Sequence, residues 1–444
     1  MASTHTLFTR LINVKNSVIT DLTITDTVTG TPTLEVEIRP YKRLQCLCPE
    51  CGRKCPKYDQ ACRTPRRWRA TDFASVKVFL RYAPPRIECP EHGVLTASVP
   101  WADPGSGFTR DFDMTVTWMA MNMNKSAVAE LMRIDWATVG RCISRVRQLL
   151  EPDPAVRFAN LRHIGVDETS YRKGHKYITV VINHDDGSIV WAHEGHGKAV
   201  FMKFLNELTQ EQREGIEVVT GDGARWVDEG VEAMLPNCHR CVDSFHVVEW
   251  AMKALDDVRA GIWRELYKQA KQDAQASAQA PQSKRLKNKA QRSKEAASEV
   301  KGSKYAIGKD PGNLTKHQEE KLAVIQKTHP RLFRAYRLKE VLRYCLKLTD
   351  PAEAAEELQR WYFWASHSQI PEMKELGKKI KRHTQNILNT IAYGLSNARI
   401  EACNACIKLL IKRSFGFRNI QNMIDMIMIE RSNLKVELPG RLLA

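Results

Sequence analysis

Long apolar stretches are missing from the sequence. Its longest apolar runs fall far short of the ~18 residues that a membrane-spanning helix requires, so no helical membrane protein is expected and no membrane partner. The first residues, Met1-Ala2-Ser3-Thr4-His5-Thr6, lack a charged segment followed by an apolar one, so no secretory signal is expected. Collagen-like repeats are absent, and 43% apolar residues exclude a disordered chain. Acid is scarce relative to base. The chain has 51 Asp and Glu against 68 Lys and Arg, a formal net charge of +17 over 444 residues. An excess of this size points to a polyanion, most often nucleic acid, over a basic surface kept for solubility. The length suggests two to four domains.

Cysteine is not scarce. Six of the 12 cysteines, Cys46, Cys48, Cys51, Cys55, Cys62 and Cys89, precede residue 90. Without a secretory signal such clustering reads as metal ligation, not as a disulfide framework. Cys48-Pro49-Glu50-Cys51-Gly52 and Cys89-Pro90-Glu91-His92-Gly93 share one pattern: ligand, two spacers, ligand, glycine. Two such turns can close a tetrahedral site of three Cys and one His around structural Zn2+. Cys46 and Cys55 compete as ligands, and free buried thiols are the alternative. Cys62 has no partner at useful spacing. Between the two turns lies Arg63-Thr64-Pro65-Arg66-Arg67-Trp68-Arg69. Arg66, Arg67 and Arg69 with Trp68 suit phosphate contacts, or else form a solvated turn around one buried ring. Cys238/Cys241 and Cys403/Cys406 read as structural.

Beyond the Pro/Gly segment 102–107 the pattern turns helical. A helix over 111–123, a short one capped by Ser126 and ending at Met132, a three-residue turn, and a helix over 136–150 make a helix-turn-helix. Ala129, Leu131, Ile134, Val139 and Ile143 would pack the last two helices together. Thr138, Arg141, Arg145 and Arg147 would lie on the polar side of the second, with Arg141 and Arg145 as DNA contacts. An ordinary helical hairpin is the alternative.

The texture then becomes β-branched. His163-Ile164-Gly165-Val166-Asp167-Glu168 reads as a strand ending at an acid, and strands over 177–183 and 188–193 follow. A helix over 197–208 leads to Ile216–Gly221, a second β-branched run ending at Asp222. A helix over 224–234 and a strand over 238–243 complete the order βββαβαβ. That order belongs to a ribonuclease H-like sheet, in which the first and fourth strands are neighbours. Asp167 and Asp222 would then stand at corresponding strand ends. Their hard oxygens can hold Mg2+ and, with a third acid, two ions roughly 3.5–4 Å apart for phosphodiester displacement. The third acid is sought in Ser396-Asn397-Ala398-Arg399-Ile400-Glu401, where Glu401 and Lys408 share a helix face two turns apart. Lys408 and Arg399 can grip the DNA backbone there. A plain surface ion pair is the alternative.

With these residues assembled, the chain resembles the ISL-three group of bacterial insertion-sequence transposases. Asp167, Asp222 and Glu401 with Lys408 look like the Asp-Asp-Glu triad of DDE transposases. Both Cys-Pro turns, Arg-Arg-Trp-Arg at 66–69, Val-Pro-Trp-Ala at 99–102 and Ile-Gly-Val-Asp-Glu at 164–168 match, as do Arg-Lys-Gly-His-Lys-Tyr at 172–177 and Asp243-Ser244-Phe245-His246. Ser-Asn-Ala-Arg-Ile-Glu at 396–401 and Phe415–Asn419 complete the set. Ala398 stands where the family often has Gly. The resemblance implies a Mg2+- or Mn2+-dependent enzyme that binds double-stranded DNA, cuts at terminal inverted repeats and joins 3′ ends to target DNA. It also implies a homodimer or larger synaptic assembly, and a cytoplasmic, nucleoid-associated bacterial protein. His246 would touch the scissile phosphate or order the site. Glu168, Asp185 and Asp186 are set aside as neighbours without the pattern.

The expected architecture is multidomain α/β. It comprises an N-terminal segment (1–40), a zinc ribbon-like domain (41–100), a helix-turn-helix domain (101–155), a ribonuclease H-like core in two parts (156–243 and 391–444) and a basic helical insertion (244–390). From 253 to 350 the chain carries 23 Lys and Arg against 11 Asp and Glu, so most of the charge excess sits in the insertion. Residues 269–298 could be a solvated helix or a flexible arm; 322–348 should pack. Trp361, Tyr362, Phe363 and Trp364 read as base-stacking aromatics or, better, as a helical core. Residues 423–429 look like a buried closing helix. Two other classes stay open: a DNA-binding regulator with an inactive core, and a related metal-dependent nuclease or junction resolvase.

Overall fold

Leu34, Val36 and Ile38 alternate with Glu35, Glu37 and Arg39, and every second side chain is buried. That period of two makes Thr33–Pro40 a strand. The computed structural model describes residues 8, 12, 14–25, 32–59, 65–395 and 398–440. The features expected at Cys62, Arg63, Thr64, Ser396 and Asn397 lie outside them. Two compact units form, one of residues 1–157, 188–193 and 403–444, the other of 158–187 and 194–402.

In the first unit, β1 (Ser17–Thr25), β2 (Thr33–Pro40), β3 (Lys57–Asp59), β4 (Arg66–Arg69), β5 (Lys77–Tyr82), β6 (Arg86–Cys89) and β7 (Gly93–Thr96) build two sheets. The larger runs β1-β2-β5-β4 and the smaller β3-β6-β7. β2 pairs in parallel with β5, so one sheet spans the boundary expected at residue 40. Its core gathers Leu34, Val36, Ile38, Trp68, Leu80 and Trp101.

Three helices follow: α1 (Arg110–Asn122), α2 (Lys125–Met132) and α3 (Trp136–Leu150). The helix-turn-helix spans match the expected ones, with a left-handed Arg133 in the turn. The cap differs. Asn124, not Ser126, accepts the Ala127 N–H at 3.0 Å, because its side chain sits at the true N-cap. Val128, Met132, Val139 and Ile143 close the pair of helices, whereas Leu131 is 58% exposed and Thr138 is buried.

The second unit is built on β8 (His163–Arg172), β9 (Lys176–Asn183), β11 (Val218–Gly221) and β12 (His239–Val242), in the order β9-β8-β11-β12. Only the last residue of β10 (Ile189–Glu194) belongs to this unit. β8 runs five residues past Asp167, because its hairpin with β9 continues to the pair Arg172↔Lys176. The expectation that the strand ends at the acid is thereby corrected. α4 (Lys198–Glu207), a short α5 (Gln210–Gly215) that sequence reading did not separate, and α6 (Arg225–Met234) connect the strands.

The described elements beyond β12 are all helices. They form α7 (Ser244–Gln279), α8 (Lys284–Gly302), α9 (Lys304–Gly308), α10 (Lys316–Thr328), α11 (Pro330–Cys345), α12 (Pro351–Ser366), α13 (Pro371–Arg382) and α14 (Thr384–Tyr393). The basic stretch at 269–298 is mostly helix, the end of α7 and most of α8, joined by Asp273, which receives Ser293 and Lys289. Trp361 is core, its indole N–H donating to the Leu338 carbonyl at 2.7 Å, while Phe363 is exposed. Finally come α15 (Ala398–Arg413) and α16 (Ile420–Arg431). In the first unit α16 packs on α3, where Asp425 receives Ser144 at 2.5 Å and Arg147 at 2.7 Å. Among the described residues no helix is long and apolar enough to cross a membrane.

Candidate active site and metal centre

The cysteine turns meet. Gly52 and Gly93 sit at the same offset after the second ligand and both adopt φ of 70°, a left-handed turn that favours glycine. Sγ of Cys48, Cys51 and Cys89 and a ring nitrogen of His92 lie within 4.8 Å of one another. The edges measured are 3.7 Å for Cys51–Cys89, 3.8 Å for Cys48–His92 and 3.5 Å for Cys89–His92. Zinc–sulfur bonds of about 2.3 Å and zinc–nitrogen bonds of about 2.0 Å in a tetrahedron require edges of roughly 3.5–3.8 Å. The cluster is therefore compatible with a structural zinc. The hydrogen bond from His92 holds the Cys89 thiol down at about 6. Cys46 and Cys55 stand outside the cluster.

The basic residues sort by their partners. Trp68 is buried edge-on against Trp101 at 5.7 Å, so it packs the sheet and cannot stack on a base. Arg69 is buried and ion-paired with Asp72. Arg145 is gripped by both oxygens of Asp113, at 2.6 and 2.7 Å. Each of these two arginines therefore already has a carboxylate partner within the unit. Arg67 pairs with Glu35 yet keeps half its side chain exposed. Arg141 is exposed on α3 and donates to Thr138 at 2.6 Å.

In the second unit β8, β11 and β12 are parallel neighbours, as the strand order led one to expect for the first and fourth strands. Their registers are Thr220↔Gly165 and Gly221↔Val242. Continued two residues past the first pair and one past the second, these registers would bring Asp222 level with Asp167 and with Asp243, respectively. Asp167 and Asp222 are each half-buried. Gly221 and Gly223 flank Asp222 for steric reasons. A Cβ on Gly221 would come within 3.1 Å of the Val166 carbonyl, and one on Gly223 within 2.3 Å of the Trp250 ring. Gly223→Ala is expected to displace Trp250 and to cost about 1–3 kcal/mol, as overpacking does, lowering the thermal midpoint by several degrees. An unchanged melt would contradict that contact.

His246, in the first turn of α7, stands 3.0 Å from Asp243 Oδ2. That hydrogen bond holds the imidazole above its usual pKa, and the charges of Asp243, Asp222 and Asp167 act in the same direction. Glu168 accepts the Gly197 N–H at 2.7 Å, and burial raises its pKa. Asp185 pairs with His163 at the surface.

His184, following β9, is buried, its Nε2 2.7 Å from Thr220 Oγ1 on β11. Burial, then the charge of Arg399, pushes its pKa from 6.5 to about 4. The folded state thus disfavours the proton that the unfolded chain takes up. Stability from this group is complete above pH 6.5 and is lost as the pH falls from there towards 4, by about 3 kcal/mol. Melts at pH 8, 6.5 and 5 should show this slope in the native chain and a shallower one in His184→Gln; parallel slopes would contradict it.

Glu401 lies exposed in the first turn of α15, with Arg399 beside it and Lys408 exposed two turns on. Among the described residues the three acids form no close-set cluster like that of the cysteines. Sequence reasoning missed Arg240 and Trp250, because one basic residue in a short strand and one aromatic in a long helix carry no local signal.

Two comparisons bear on this arrangement. Residues 164–427 match a family model described as transposase, and residues 97–147 match the helix-turn-helix domain of transposase family ISL3. The transposase for insertion sequence element IS1557 of Mycobacterium tuberculosis is 41% identical over 438 residues, covering 98% of this chain and 97% of that protein. The transposase for insertion sequence element IS1001 of Bordetella parapertussis is 23% identical over 392 residues, covering 87% and 89%.

Proposed function

Because the chain belongs to the ISL3 family of transposases, we propose that it binds the terminal inverted repeats of its own mobile element, cleaves the DNA ends and joins the 3′ ends to target DNA. The observation that carries this reading is the parallel register of β11 on β8, Thr220↔Gly165, which continued two residues would bring Asp222 level with Asp167 inside the matched region. The strand order, with β8 between β9 and β11, supports a ribonuclease H-like core.

Asp167 on β8 and Asp222 just past the end of β11 offer hard carboxylate oxygens, a donor set that fits Mg2+ or Mn2+. Glu401 is the third ligand in this reading, with α15 bringing it to the two aspartates when DNA is bound. Bound there, two divalent ions would supply activation of the attacking oxygen and stabilisation of the leaving one. The chain's own residues do the rest. Asp243 orients His246 towards the phosphate. Lys408 and Arg399 hold the DNA backbone beside Glu401, and the basic helices between 253 and 350 add sequence-blind, salt-sensitive grip. In this reading sequence is read by the first unit through α3, with Arg141 at the groove, and Arg66 and Arg67 on phosphates. Cys48, Cys51, Cys89 and His92 hold a structural Zn2+. The protein acts as a dimer or larger assembly on bacterial DNA in the cytoplasm.

The test is a supercoiled donor carrying the element's terminal repeats, incubated with the protein and Mg2+, with the products sequenced. End cleavage followed by joining is expected. Repeat binding without any cleavage would favour a regulator, and structure-specific nicking without joining a nuclease.

A further inference from the structure

Arg240 is a charged side chain buried under the carboxylate site. It lies on β12, with 6% of its side chain exposed. Its Nε donates to Asp228 Oδ1 on α6 at 3.0 Å. Nη1 donates to the carbonyls of Val219, at 3.4 Å, and Cys241. Nη2 donates to the carbonyl of Asp222. One guanidinium thus ties β11, β12 and α6 together, using the five fixed donors that only arginine has.

β11 and β12 need no such tie along their length, since the ladder already joins them from Val218↔His239 to Gly221↔Val242. Asp222 is the first residue beyond it. What Arg240 adds is a hold on that residue's peptide. The Asp222 side chain receives the Ala224 N–H at 3.0 Å, so the turn is fixed from both sides. The end of the helical region reinforces the hold. On α14, Asn389 donates to the Arg240 carbonyl at 3.0 Å and Thr390 to the Val242 carbonyl at 2.7 Å, while Asn386 reaches Asp228 at 3.5 Å. Burying a cation is costly unless every donor is met, so this network is an expensive way to brace a turn that carries nothing.

We propose that Arg240 is a positioning residue that fixes the Asp222 carboxylate for divalent-cation binding, with Asp228 and α14 holding Arg240 in place. The proposal rests on the assignment of Asp167 and Asp222 as metal ligands. Supports of this kind typically change metal affinity by about 10–100-fold when removed.

The test uses the full chain and Mn2+ as the probe. Mn2+ binding is titrated by electron paramagnetic resonance in the native protein and in Arg240→Lys, Asp228→Asn and Asp222→Asn. Terminal-repeat binding without metal and thermal melting serve as fold controls. Arg240→Lys keeps the charge and its reach to Asp228 but loses the fork that grips Asp222. It should weaken Mn2+ binding about tenfold or more and raise by a similar factor the Mn2+ needed for half-maximal cleavage, with repeat binding unchanged. Asp228→Asn should shift both in the same direction by less. Native Mn2+ affinity in a folded Arg240→Lys protein overturns the proposal alone. If neither variant folds, Arg240 is purely structural and the proposal is rejected. Native protein with no Mn2+ binding that depends on Asp222 overturns the metal-site reading itself, and this proposal with it.

Discussion

Asp167→Asn and Asp222→Asn are each expected to reduce terminal-repeat cleavage by about a thousandfold or more while repeat binding is retained. The size follows from the chemistry. Each carboxylate supplies charge that an amide lacks, and losing divalent-ion stabilisation costs several kcal/mol of transition-state energy, at about 1.4 kcal/mol per tenfold. The selectivity follows from the geometry. Both acids are half-buried just past the paired stretch of β8 and β11, so an isosteric amide fits without repacking. In the proposed reading, repeat recognition falls to α3, which belongs to the other unit. Asp185→Asn is the control, because that acid only pairs with His163 at the surface. A cleavage assay beside a gel-shift titration checks all three. Cleavage within tenfold of native in either aspartate variant would remove that residue from the chemistry.

The second large effect concerns the cysteine cluster. The sheet β3-β6-β7 has a small core, formed by Cys48, Cys55, Ile87, Cys89 and Ala97 with Cys46 and Leu95 against it. Two of those residues are themselves cluster ligands, so apolar burial alone gives this region little stability. A structural zinc contributes on the order of 10–16 kcal/mol in small domains of this kind. Cys51→Ser or His92→Ala should therefore empty the site, unfold the region around residues 46–98 and weaken repeat binding at least tenfold. Cys46→Ser, outside the cluster, should retain the metal. Zinc content by mass spectrometry and limited proteolysis report the outcome. A native protein without zinc, or full zinc in both ligand variants, would contradict the assignment.

The cysteine cluster and the helix-turn-helix were legible because their signals are local. Each cysteine turn carries ligands, spacers and a terminal glycine within five residues, and the helix-turn-helix spans follow from apolar spacing. Strand order, too, was readable from the run of β-branched segments. Register was not. That Asp222 would come level with Asp167 depends on how two strands 55 positions apart pair, which no single segment reveals. Nor does local sequence show where pairing stops, so β8 runs past Asp167 on the strength of its hairpin with β9. Arginines were the least legible. Arg69, Arg145 and Arg240 read alike as positive charge, yet each is drawn inward by an aspartate that sequence spacing does not mark: Asp72, Asp113 and Asp228. The same competition explains the cap, where Asn124 and Ser126 both suit the role and the backbone geometry selects Asn124.

Asp167, Asp222 and Glu401 are proposed to gather around divalent ions when DNA is bound. Iron-dependent backbone cleavage tests this most directly. Fe2+ replaces Mg2+ in the protein bound to terminal-repeat DNA, ascorbate and peroxide generate local radicals, and the peptide cuts are mapped by mass spectrometry. Cuts clustered near residues 167, 222 and 401, all suppressed by excess Mg2+, are the predicted result. Cuts near 167 and 222 with none near 401, or cuts indifferent to Mg2+, would contradict it.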